Sequence, residues 1–371
     1  MDILYVGELT PNTRCEQRLR VFRDLGHDVT ALPFRSILDG PHQERRLPPV
    51  PRVMNKLGFP LDSENVNTAL VNMATRSRFD LLWVEKAPVL RAHAIESFAR
   101  LQPQARLVYF SEDDMALRHN GSFWFRGALP LYDVVVTTKL RNLVDGELEA
   151  LGAQRVVYEP KTFDPKLHRP IDVDANTTEK FGADVLFVGT YERERAASCL
   201  NLARAGISVR VFGMGWQRFG ESHPNLRVEG RAIGGDDYVA ALCSSKIALG
   251  FLRRASRDEH TDRSVEIPAC GGFMLAERSS EHLELFRDHR EAVFFDGDDE
   301  LIGHVERYLG DDEARRSIAA AGRRRCLDSG YDHASACRRM LAAASGAPHR
   351  SERDARPVAG ERHSTTSREV A

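Results

Sequence analysis

Apolar residues along this chain fall in short runs, and stretches with helical spacing separate them. The alternation begins at once: Ile3–Val6 is an apolar strand ending at Gly7. Leu19, Val21, Phe22 and Leu25 then repeat at helical spacing, which predicts a helix over Cys15–Leu25 stopped by Gly26. Val29–Leu32, Leu81–Val84, Leu107–Phe110 and Val134–Thr137 read as further strands, with helices at Asn65–Arg76, Val89–Ala99 and Lys139–Leu151. Pro33–Pro60 carries many prolines and basic residues and reads as a long loop with little regular structure. Strands alternating with helices in this way predict a parallel sheet covered on both faces.

The pattern breaks at Tyr158–Asp174, a proline-rich polar segment that reads as an interdomain hinge. A second series follows, with strands at Val185–Val188, Val209–Phe212, Leu226–Val228, Ile247–Phe251, Phe273–Leu275 and Ala292–Phe295. Helices fall at Arg195–Ala205, Asp237–Cys243, Arg263–Ala269, Glu300–Leu309, Asp312–Leu327 and His333–Ala344. From Ser345 onward there is no aromatic residue, isoleucine or leucine, which predicts a disordered tail. The expected fold is therefore α/β, with two Rossmann-like domains (1–165 and 175–344) facing across a cleft, and a tail over 345–371.

Composition narrows the function. With 52 basic and 54 acidic residues the net charge is -2, which gives no electrostatic case for nucleic acid as a partner. Six scattered cysteines lack a C-x-x-C pair, so a structural zinc site is not expected; they read as reduced core thiols of a cytoplasmic protein. An acid at position 2 and no basic leading region make the first residues a strand rather than a signal peptide. No apolar run approaches the roughly 18 residues of a membrane helix.

The most informative chemistry is Thr261–Gly272, TDRSVEIPACGG, with Asp258 just before it. A carboxylate on a short helix, here Glu266, can accept two hydrogen bonds from a vicinal diol such as a ribose. Gly271 and Gly272 let a backbone approach a ligand closely. Arg263 lies one helical turn before Glu266 and could pair with it or touch phosphate. Gly189-Thr190 follows a strand and precedes Arg193 and Arg195, an arrangement suited to an anion at a helix N-terminus. Its plainer reading is a solvated charge cluster. Gly213 and Gly215 follow the next strand as a loop against the ligand or a tight turn; Arg218 stands where a dinucleotide fingerprint needs glycine.

In the first half, Ser111-Glu112-Asp113-Asp114 lies beyond a strand end, where parallel sheets bind ligands. Asp113 is a candidate general base and His119 a second, against the plainer reading of a helix cap with first-turn acids. Thr10, Arg14 and Arg18 are acceptor-side candidates in and after the first strand-to-helix loop, and Trp124 with its neighbours is either a stacking platform for a sugar or core. No D-x-D metal motif occurs here, since Asp113 and Asp114 are adjacent.

The phrases FVGTYERER at Phe187–Arg195, VFGMGW at Val211–Trp216 and RSVEIPACGGFML at Arg263–Leu275 resemble the GT-B glycosyltransferases, and within them the CgeB-like family of bacterial spore-protein glycosyltransferase-like domains. EAVFFDGDDEL and DDEARRSIAAAGRRRCL, between Glu291 and Leu327, add to the likeness, while the first half matches more loosely through VGELT at Val6–Thr10. The resemblance implies a metal-independent hexosyltransferase-like enzyme without a cofactor. Its second domain would bind a nucleoside-diphosphate sugar and its first an acceptor: glycan, lipid, small molecule or protein. It also implies that Glu266 contacts the ribose and Asp258 the transferred sugar, although related enzymes often carry Glu at the latter position. Two rival readings are a non-catalytic nucleotide-sugar-binding protein of a surface layer and a GT-B-fold nucleotide-sugar epimerase.

Overall fold

The computed structural model describes residues 1–11, 13–34 and 48–346. They form two six-stranded sheets, and every strand pair within them is parallel. In the first, β1 (Asp2–Gly7), β2 (Asp28–Pro33), β3 (Leu81–Glu85), β4 (Arg106–Ser111), β5 (Val134–Thr137) and β6 (Val156–Tyr158) lie in the order β2-β1-β3-β4-β5-β6. In the second, β7 (Val185–Val188), β8 (Val209–Phe212), β9 (Leu226–Val228), β10 (Ile247–Gly250), β11 (Met274–Glu277) and β12 (Val293–Phe295) lie in the order β12-β11-β10-β7-β8-β9. Strand order reverses beside β1 in one sheet and beside β7 in the other. At such points adjacent connections leave in opposite directions and open a crevice beyond the carboxyl ends of the strands.

The apolar runs become strands because both faces of each sheet are covered. Leu4 and Val6 of β1 enter one core with Leu82 and Val84 of β3, while Ile3 and Tyr5 enter another with Leu81 and Trp83. That alternation is the period of a pleated strand.

The second of these cores is closed by the helix Arg14–Asp24 and by the last helix, His333–Ser345. Sequence order groups this last helix with the second half, yet its Ala336, Cys337, Met340 and Ala344 pack against the first sheet. An amphipathic stripe records that a helix needs a partner but not which sheet supplies it. The chain thus crosses between halves twice. The crossings are pinned together where Phe163 N–H donates to Tyr331 O (3.1 Å) and His333 N–H to Phe163 O (3.0 Å).

Local differences from the sequence reading have local causes. Lys139–Leu151 is two short helices, Leu140–Val144 and Glu147–Ala150, broken by Gly146 at φ 65. The Pro33–Pro60 stretch contains a helix, Pro49–Lys56, entered through prolines at its first turn, where a missing N–H costs nothing. Residues 35–47 of that stretch, and the tail beyond Gly346, lie outside the described residues. Among the described residues no helix is long and apolar enough to cross a membrane.

Candidate functional site

The two reversal points face one another. From the first sheet, the ends of β1, β3 and β4 bring Glu8, Glu85, Lys86, Glu112 and Asp113 to the cleft. From the second, the end of β7 brings Gly189 and Thr190, and the helices Arg193–Arg204 and Asp262–Ala269 bring Arg195, Arg263 and Glu266. Three adjoining cavities run along the cleft. The first, about 330 Å³, is lined by Gly189, Gly213, Ile233, Tyr238 and Glu266. It shares Thr190, Asp262 and Arg263 with a second of about 220 Å³. That one shares Glu112 and Asp113 with a third of about 620 Å³.

The first two cavities hold cations without full partners. Arg195 is buried, stacks over the Phe187 ring at 5.9 Å, and reaches only Thr190 O (3.4 Å) and Glu192 (3.6 Å); its Nε has no hydrogen-bond partner among the described residues. Arg263 lies over the same ring at 5.8 Å, and its Nε is likewise unpartnered. Burial and then the nearby positive charge of Arg263 lower the Arg195 pKa. Two guanidinium groups held together against repulsion, with donors to spare, suit an anion of more than one charge. The helix Arg193–Arg204 adds free N–H groups, because Glu192 makes no side-chain cap.

Glu266 is held at both oxygens. Arg14 Nη1 donates to Oε1 at 3.0 Å and the Tyr238 hydroxyl to Oε2 at 3.1 Å, while His168 Nε2 lies 3.6 Å from Oε1. A carboxylate oxygen has two lone pairs, so each keeps one for a further donor from the cavity. Arg14, expected on the acceptor side, therefore spans the cleft: it lines the third cavity, holds Glu266, and donates through Nε to Glu112 at 2.9 Å.

Carboxylates of the first half lie within this network. Arg18 pairs with Glu85 and with Glu112 (2.8 Å), and Lys161 approaches Glu112 at 3.5 Å. Burial opposes the charge on Glu112, but Arg14, Arg18 and Lys161 outweigh it and hold its carboxyl well below the usual range. At Asp113 burial is likewise outweighed, here chiefly by Lys86, so its pKa is lowered. Lys86 itself sits at φ 39, left-handed for a residue with a side chain, a strain tolerated at ligand-binding sheet edges. Further pairs cross the cleft: Lys139 with Asp258, Lys161 with Asp262 (3.1 Å), and Arg257 with Asp114 (2.6 Å) and Glu147 (2.7 Å).

The structure thus brings Asp113, Thr190, Arg195, Arg263, Glu266, Arg14 and Asp258 together. Other residues singled out in the sequence stand elsewhere. His119 is exposed and lines none of the three cavities, and neither do Thr10, Gly215, Gly271 and Gly272. Gly271 has φ 75, and Gly272 lies against Ile267, so both serve the turn into β11. Gly213 lines the first cavity, yet its bareness answers to the protein: a Cβ there would meet Gly189 O at 1.8 Å. Gly189 N–H, expected to face an anion, is already bonded to Phe212 O at 2.9 Å. Trp124 is half-buried and donates to Pro60 O at 3.0 Å. Residues missed in the sequence include Glu85, Lys139, Lys161 and Tyr238. Glu85 and Lys86 follow an apolar run as Glu112 does, which is a usable signal; the spacing around Tyr238 carries none.

The helix bearing Arg263 and Glu266 is held from behind. Thr261 and Ser264 form a capping box, and Ser264 Oγ lies 2.7 Å from His282 Nε2. His282 Nδ1 lies 2.7 Å from Glu277 O, and burial pushes the His282 pKa down to about 4. A histidine depressed from its usual ~6.5 favours the fold above the unfolded value and loses that contribution as pH falls towards the folded one. The shift corresponds to about 3 kcal/mol. Denaturant unfolding between about pH 6.5 and pH 4 is expected to show stability falling in the wild type. The fall should be shallower by about that amount in His282→Gln; equal slopes would remove His282 as the cause.

Residues 193–342 match the model of a family described as glycosyl transferase-like. Among curated proteins no relative matches. Similar solved structures include Anabaena Alr3699/HepE in complex with UDP-glucose, with TM-score 0.60 and 14% identity over 93% of this chain and 99% of that one. Sucrose-phosphate synthase from Thermosynechococcus elongatus has TM-score 0.59 and 13% identity over 92% and 100%. An alpha-glucosyltransferase in complex with UDP-glucose and DNA containing an abasic site has TM-score 0.64 and 11% identity over 93% and 99%. The two facing parallel sheets are the fold of these structures, and residues 193–342 are similar to the glycosyl transferase-like family.

Proposed function

We propose that this protein transfers a sugar from a nucleoside-diphosphate sugar to a hydroxyl acceptor in the cleft, without a metal ion. The observation that carries the reading is the pair Arg195, buried, and Arg263, half-buried, over one ring with Nε donors unused: both line the 220 Å³ cavity with Thr190, and Arg263 also lines the 330 Å³ cavity with Glu266. The base and ribose would occupy the 330 Å³ cavity, with the ribose diol on Glu266. The diphosphate would lie between the two arginines, which would neutralise the leaving charge without a cation. The sugar would reach the 220 Å³ cavity beside Asp258 and Lys139. The complexes of HepE and the alpha-glucosyltransferase with UDP-glucose support a nucleotide-sugar donor.

The acceptor would enter the 620 Å³ cavity. Its wall cations are all engaged, Arg14 and Arg18 by Glu112 and Lys86 by Asp113, so a neutral hydroxyl acceptor suits it better than a phosphorylated one. The first sheet, with the last helix His333–Ser345 packed against it, would form the acceptor domain, and the second sheet with its helices the donor domain. The phrases at Phe187–Arg195 and Arg263–Leu275 support a CgeB-like place among such enzymes. Five buried free thiols, with Cys243 half-buried, support a reducing cytoplasm.

Asp113 lies where the second and third cavities meet, within reach of both sugar and acceptor, and is the base of this scheme. Asp113→Asn is expected to lower kcat about 100-fold or more while leaving donor affinity unchanged. Because Lys86 keeps its carboxyl ionised below the usual aspartate range, the wild-type rate should hold steady from neutral pH down through pH ~5 and fall only below the ordinary aspartate pKa of ~4. A kcat within threefold of wild type in the variant would assign the proton to another group.

A further inference from the structure

The stretch from Pro48 to Leu61, PPVPRVMNKLGFPL, carries two basic residues, Arg52 and Lys56, and no acid. Its helix, Pro49–Lys56, buries none of its residues. Val50, Val53 and Leu57 repeat at helical spacing, yet they are 65%, 55% and 64% exposed, so the apolar stripe faces outward. Phe123 extends the patch and is 58% exposed. Its N–H donates to Gly58 O at 2.7 Å and its ring lies 5.0 Å from that of Phe59. Elsewhere among the described residues the exposed large apolar side chains, such as Met1, Leu101, Val144, Leu283 and Leu327, are scattered in sequence; here five, counting Leu61, gather on one helix and its neighbours. A contiguous apolar patch of this kind marks a contact surface.

Its charge says what it contacts. Arg52 and Lys56 are exposed on the same helix, and Arg91 stacks on Trp124 at 4.7 Å, so the patch is edged by cations with no acid on the helix. Short amphipathic helices with basic edges and an apolar face lie in the plane of anionic membranes. We propose that this face docks on an anionic lipid bilayer. Docking would set the acceptor cavity near the membrane surface, because Ser122, next to Phe123, donates to the carbonyl of Pro88 (2.7 Å), which lines that cavity. The proposal does not depend on the sugar-transfer reading, since vesicle binding is measured without turnover.

The test is sedimentation of the full chain with vesicles of phosphatidylcholine alone and mixed with phosphatidylglycerol. The wild type should sediment with the mixed vesicles, much less with the neutral ones, and less as salt is raised. A double substitution, Val53→Asp with Leu57→Asp, should weaken binding more than tenfold. Arg52→Glu with Lys56→Glu should weaken it about 30-fold or more. All four side chains are exposed, and thermal melts of both variants separate lost docking from lost folding. Failure to bind mixed vesicles, equal binding to both kinds, or variants that bind as wild type would overturn the proposal. So would self-association in lipid-free solution that the aspartates abolish, which would make the face a contact between copies of this chain.

Discussion

Arg263→Ala is expected to lower kcat/KM for the nucleotide sugar by roughly 100- to 1000-fold, about 3 to 4 kcal/mol of transition-state stabilisation. The effect should fall mainly on kcat, because charge on the leaving diphosphate grows as the sugar departs. The same change should leave the melting temperature at or above the wild-type value. Arg263 Nε has no hydrogen-bond partner among the described residues, and removing the side chain relieves the repulsion that lowers the Arg195 pKa. Loss of activity without loss of stability is the mark of a residue held ready for a ligand. Arg195→Ala should behave similarly, and the double variant should fall short of the product of the two effects, since both arginines act on one charge. Steady-state kinetics beside thermal melts decides it. Loss of less than tenfold in both single variants would take the leaving group elsewhere.

The second large effect is on donor binding. Glu266→Ala is expected to raise the Kd for UDP or another cognate nucleotide at least 100-fold. Two hydrogen bonds from a ribose diol to a carboxylate contribute about 1.5 to 3 kcal/mol each. The fold should survive, because Arg14 keeps Glu112 and the carbonyl of Thr162. The buried Tyr238 hydroxyl does lose its acceptor, so a melting temperature lower by a few degrees is expected. Calorimetry with nucleotides of several bases tests both the assignment and the base. Unchanged affinity in a folded variant would end the ribose role of Glu266. If the wild type binds no nucleotide at all, the transferase reading gives way to a non-catalytic one.

Much of the fold was legible in the sequence because the physics that forms it is local. A strand covered on both faces must be apolar throughout, so Ile3–Val6 and Val185–Val188 stand out as runs. Helices such as Asp312–Asp328 declare themselves by spacing and by acids in the first turn. Short elements were hidden for the same reason: Phe123–Ala128 and Ser280–Leu285 span too few turns for a period to register.

Within the site, the residues that stood out follow strand ends or share one helix. Arg263 and Glu266 are neighbours on a single face, and Thr190 and Asp113 lie just past apolar runs, so one segment at a time was enough to find them. The meeting of the halves was not local. Arg14 bonding Glu266, 252 residues away, and Lys139 pairing with Asp258 depend on how the two sheets face. So does the choice of the first sheet by the last helix, while the satisfaction of Gly189 N–H by β8 depends on strand pairing within the second sheet. By itself the sequence determined which segments are strands and helices and which side chains could bind an anion or a diol. Which of these share a cavity, and which are already spent on one another, was decided only by tertiary structure. Ion pairs and hydrogen bonds of a few ångströms are fixed by contacts between segments far apart in the chain, and no pattern along it records those distances.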